Sequence, residues 1–113
     1  MSISNRNTLA LLVLKCEGSA PTEDENSIAN GLQNYGWRIS PLIKNVLAKS
    51  FEESKDYGLN QLTDLAADDV QNCLRTINNA PHISLSVVMQ MGNKGSSSFV
   101  IKNGVMQIIP GFI

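Results

Sequence analysis

His82 is the single histidine of the 113 residues, and with Ser84 or Ser86 close behind it would make a lone general base beside a hydroxyl. No carboxylate is near enough in sequence to orient the imidazole, and a histidine after Pro81 at the start of an alternating apolar run reads as structural. Asp64 and Asp68 are spaced i and i+4, with Asp69 beside them, which sets carboxylates on one helix face for a metal or an acid/base pair. No histidine or glutamate completes a ligand set there. Aspartates near a helix start are explained by the positive end of the dipole. Gly92-Asn93-Lys94-Gly95 has the GxxG form of an RNA backbone clamp, but that clamp lies between helices and this loop joins two β-prone runs. A phosphate loop needs a longer spacing between its glycines, with Lys-Ser after the second. Cys16 and Cys73 lack the CxxC or Cys/His company of a zinc site and read as buried free thiols. No catalytic residue, metal ligand or cofactor site is assigned.

Charge carries the remaining signal. The whole chain has a net charge of -1 and a charged fraction of 17%, which gives no global pull toward nucleic acid or anionic lipid. Between Glu52 and Asp69, however, Glu52, Glu53, Asp56, Asp64, Asp68 and Asp69 face Lys55 alone. Such an acidic face, without site chemistry, suits docking to a basic protein partner, as in an inhibitor of the immunity or antitoxin type. Those six acids are the expected partner-binding set of a non-enzymatic binding module. A second reading is a DNA-binding regulator, because two capped helices over 22–51 followed by a hairpin resemble a winged helix-turn-helix in outline. Ser40, Lys44, Asn45 and Lys49 would then enter the major groove, and Lys94 or Lys102 would touch backbone. The long spacing from Ala29 to Ile43, an intervening helix, and Glu52 and Glu53 beside phosphates rank it second.

The elements that would hold these residues are most legible at the C-terminal end. Asn103-Gly104 between Ser98–Lys102 and Val105–Ile109 is a two-residue hairpin signal that fixes the register: Lys102 faces Val105, Ile101 faces Met106, Val100 faces Gln107 and Phe99 faces Ile108. Phe99, Ile101, Met106 and Ile108 then share the core face. Upstream, Ile83, Leu85, Val87, Met89 and Met91 alternate with Ser84, Ser86, Val88 and Gln90 as a half-buried strand. Thr22 with Glu25 forms a capping box for a helix ending at Gly36, inside which Gly31 is tolerated or admits a close neighbour. Ser40-Pro41 opens a third helix, with Leu42, Ile43, Val46, Leu47 and Phe51 on one face. A fourth runs from about Leu62 to Ile77 and is terminated by Asn78-Asn79-Ala80-Pro81. Residues 8–17 are apolar on every face; they are read as a buried helix closed by Gly18, with a strand in the C-terminal sheet as the alternative.

The expected fold is therefore α+β, one domain over 1–113, with three or four N-terminal helices on a C-terminal three-stranded antiparallel meander. An uncovered sheet edge would admit a partner strand or a second copy, and Pro110-Gly111-Phe112-Ile113 is placed to guard it. Lys15 and Glu17 spoil the apolar stretch as a signal peptide, and it is far shorter than the roughly 20 residues of a membrane span. A cytoplasmic location without membrane contact is the expectation.

Overall fold

A computed structural model describes residues 6–18, 20–53, 57–77 and 82–109. In chain order the elements are β1 (Arg6–Glu17), α1 (Pro21–Leu32), a 3-10 turn (Gln33–Tyr35), β2 (Arg38–Ile39), β3 (Val46–Glu53), α2 (Leu59–Arg75), β4 (Ser84–Met91), β5 (Ser96–Lys102) and β6 (Val105–Ile109). The strands form one antiparallel sheet of six in the order β2-β3-β1-β4-β5-β6. Three or four helices on a three-stranded meander are thus overturned: there are two α-helices among the described residues, and two segments expected to be helical are strands.

The physical reasons lie in particular side chains. Along β1 the even positions Thr8, Ala10, Leu12, Leu14 and Cys16 are buried while Leu9, Leu11, Val13, Lys15 and Glu17 are exposed, which is the period of a strand with one covered face. Both parities begin apolar, so the alternation is invisible in the letters. In β3, Leu47 and Phe51 point inward with Lys49 between them, and a lysine at an inward position erases the pattern. Ser40 does cap a turn, accepting the N–H groups of Leu42 (3.2 Å) and Ile43 (3.1 Å). That turn ends at Asn45, whose φ of 66° puts it in the left-handed region and sends the chain into β3 instead of a helix.

Both helices cover the same face of the sheet. Core residues Leu12, Leu14, Leu47, Leu85, Met89 and Phe99 from the strands meet Ile28 and Leu32 of α1 and Leu62, Ala66 and Val70 of α2. Where α1 crosses α2, a Cβ on Gly31 would lie 2.5 Å from Cys73 Sγ, so the glycine permits the close approach. The α1 start departs from expectation: Ala20 is the N-cap without a side-chain bond and Pro21 is the first residue, while Glu25 turns inward. Gly36 does close this segment, at φ 90°. α2 starts earlier than expected, at Leu59 after Gly58, and ends at Arg75 with Thr76 as its C-cap; the stop signal at 78–81 lies outside the described residues.

The hairpin has the expected register at all four pairs. Phe99 and Ile101 are buried on the core face and Met106 is half-buried, but Ile108 is 44% exposed because β6 reaches past the helices. β6 is an edge strand and β4 an interior one, paired with both β1 and β5. The guard at 110–113 lies outside the described residues.

Candidate functional site

With the helices on one side, no element among the described residues covers the other side of the sheet, and its centre is apolar. Leu9, Leu11 and Val13 of β1 are 53%, 42% and 46% exposed. The register sets Val46, Val13 and Val88 in one row across β3, β1 and β4, with Ala48 beside Leu11 in the next; Ser98 of β5, which continues the first row, is buried. Directly paired residues share a face, so Val46, Ala48, Leu11, Val13 and Val88, with Leu9 two residues on, form one aliphatic patch across β3, β1 and β4. Its surround is hydrophilic: Ser50, Ser86 and Gln90 lie alongside, and Lys15, Glu17, Arg38, Glu52 and Lys102 stand exposed at the margins. A contiguous exposed apolar patch rimmed by polar groups marks an association surface.

The acids expected to bind a partner do not gather on one surface. Glu52 projects on the open face, since it pairs with Asn7, whereas Asp64 and Asp68 are exposed on α2, on the opposite side of the sheet. Asp69 turns toward the sheet: its Oδ2 accepts from Trp37 Nε1 at 3.0 Å and pairs with Lys49 Nζ at 2.7 Å. Asp56 and the Glu53 side chain lie outside the described positions.

The residues expected in a DNA groove meet a similar fate. Ser40, Lys44 and Asn45 are in the turn before β3 and Lys49 is in β3 itself, so the helix that would enter the groove is not formed. Lys49 is held by Asp69 with its ammonium 4.9 Å from the Phe51 ring centroid, a buried-side cation–π arrangement. Asn45 Nδ2 donates to Glu25 Oε1 at 2.9 Å. Lys94 Nζ donates to the Tyr57 carbonyl at 2.6 Å, tying the β4–β5 loop to the start of α2.

The buried carboxylate of Glu25 has a structural task. Pairing of β1 with β3 stops at Val13, beyond which the Leu14 N–H finds the Asn45 carbonyl (3.1 Å) and the Cys16 N–H finds Glu25 Oε2 (2.8 Å). Glu25 and Asn45 therefore replace a missing strand for the last residues of β1. Burial, with the nearby charges of Glu25 and Asp24, pushes the Cys16 thiol up to about 12, and burial raises Cys73 as well. Both thiols are free and inert at neutral pH. His82 is exposed in a single turn before β4. Among the described residues no three of His, Cys, Asp and Glu come together as a metal site, and no helix is long and apolar enough to cross a membrane.

Compared with known protein families, curated proteins and solved structures, the chain matches none.

The residues that sequence reasoning missed are Leu9, Leu11, Val13, Val46, Ala48 and Val88. One signal could have found them. If 8–17 is a strand covered by helices on one side, its odd positions must face away, and three of those are large aliphatics.

Proposed function

We propose that this chain acts by protein–protein association, with the open face of the sheet as its docking surface. The single observation that carries the reading is the aliphatic band centred on Leu9, Leu11 and Val13, exposed on a face the helices leave bare. Removing such side chains from water contributes roughly 25 cal/mol per Å² of apolar area, a gain this fold leaves unused. The acidic run that suggested a basic partner is divided between two sides of the sheet, so recognition rests on apolar contact with a polar rim for orientation.

Photo-crosslinking from inside the native cell tests it. With p-benzoylphenylalanine in place of Leu11, discrete protein adducts are expected; with the same group in place of Asp64 on α2, none are. Adducts from position 64 alone return the docking surface to the acidic helix, and absence of adducts from position 11 removes the open-face reading.

A further inference from the structure

The open face also indicates its occupant: we infer that a second copy of this chain stacks on it, sheet against sheet, about a two-fold axis running across the strands at Leu11. This rests on the reading of the face as a docking surface and names the partner.

Size, symmetry and charge support it. The five strands from β3 to β6 at about 4.8 Å spacing, and about eight residues long at 3.3 Å each, give a flat footprint of about 600 Å². Side-chain relief brings this to the scale of the roughly 800 Å² per partner of a stable interface. Paired sheets pack face to face through interdigitating aliphatic side chains, which Leu9, Leu11, Val13, Val46 and Val88 supply from each copy.

A two-fold interface must be self-complementary. Rotation at Leu11 lays Leu11 on its own counterpart and Leu9 on Val13 of the other copy. It also brings the level of residue 15 onto the level of residue 7, since both lie the same distance along β1 from Leu11. Glu52 pairs with Asn7 in the sheet, so Lys15 of each copy comes level with Glu52 of the other, twice per dimer. The rim carries both signs, Lys15, Arg38 and Lys102 against Glu17 and Glu52, which disfavours a partner of strong single charge. A net charge of -1 leaves little repulsion between copies. The competing contact is edge to edge through β6, where Ile108, on the helix side, is 44% exposed.

Sedimentation equilibrium of the purified chain decides between them. The expected mass at high concentration is twice 12.3 kDa. Leu11→Lys should weaken association by about 30-fold or more, with an unchanged far-UV spectrum because the position is exposed. Ile108→Lys, on the helix side of β6, should leave the dimer intact. Lys15→Glu and Glu52→Lys should each weaken it by about three-fold, and the double variant should restore it. Failure of the double variant to recover overturns the orientation, even if Leu11→Lys does not fold. A dimer that survives Leu11→Lys but is lost in Ile108→Lys overturns the stacked face. A chain that stays monomeric overturns the second copy as occupant, and the position-11 adducts then separate the two ideas: a different protein in them leaves the docking surface standing, whereas no adduct removes both.

Discussion

Asp69 ties α2 to β3 and to the segment before β2, since one carboxylate oxygen receives both the Trp37 indole N–H and the Lys49 ammonium. Trp37 is almost fully buried, so its indole N–H has no water as an easy substitute, while Lys49 occupies an inward position of β3 with its side chain 21% exposed. Asp69→Ala should therefore leave a buried indole N–H unpaired and a cation against Phe51, lowering stability by about 2–3 kcal/mol. Asp69→Asn keeps an acceptor and loses only the charge, for about 1 kcal/mol. Lys49→Met should be the mildest of the three, because it removes the cation, keeps the apolar stem and leaves the indole bond intact. Urea unfolding midpoints rank the variants, and a larger loss for Lys49→Met than for Asp69→Ala would show that the ammonium, not the carboxylate, is the hub. Charge runs in the letters pointed Asp69 and Lys49 toward opposite partners, a basic protein and a DNA groove. They satisfy each other instead, because a carboxylate on α2 and a lysine on β3 meet only after the sheet and helices pack.

At the scale of elements, the contact of α1 with α2 depends on the absence of one carbon. Ala at position 31 gains about 1 kcal/mol of helix propensity over Gly, yet its Cβ would lie 2.5 Å from Cys73 Sγ, a short side chain with no room to swing aside. Gly31→Ala is expected to destabilise the fold by about 1–3 kcal/mol. Gly31→Ala with Cys73→Ala removes the clashing sulfur and should cost less than the two single changes added together. Thermal or urea unfolding of the four-member cycle measures that coupling, and simple additivity would mean the helices are free to separate.

The same scale shows which elements were legible in sequence. The Asn103-Gly104 hairpin was, down to its register, because turn chemistry and pairing are local. α2 was, because Leu62, Ala66, Val70 and Cys73 keep helical spacing without interruption. β1 was not, because its exposed side is as apolar as its buried side, and the explanation for Leu9, Leu11 and Val13 lies outside the fold if they form a docking surface. β3 was hidden by Lys49, whose inward position makes sense only once Asp69 is present. The capping box at Thr22 and Glu25 misled because the glutamate was needed elsewhere, at the Cys16 N–H.

Across the whole molecule, β1 organises the sheet. It pairs with β3 from Arg6 to Val13 and with β4 from Ala10 to Glu17, so only Ala10 to Val13 have a paired strand on both flanks. Its partners come from distant parts of the chain, and the sheet cannot close until β4 is in place. Hydrogen exchange should follow this order. Amides in the overlap of β1, and those of β4 between β1 and β5, should open only with global unfolding. Amides of β2 and the outward-pointing amides of β6, at the two edges of the sheet, should exchange fastest. Raising protein concentration separates the modes of association. Stacking through the open face stabilises the folded state by mass action and slows the central amides, while the β6 edge keeps its unpaired groups in water and its outward amides stay fast. Edge-to-edge pairing would instead protect alternate residues of Val105–Ile109 directly. Concentration-dependent protection that appears first in β6 would therefore place the contact at the edge and leave Leu9, Leu11 and Val13 unpartnered.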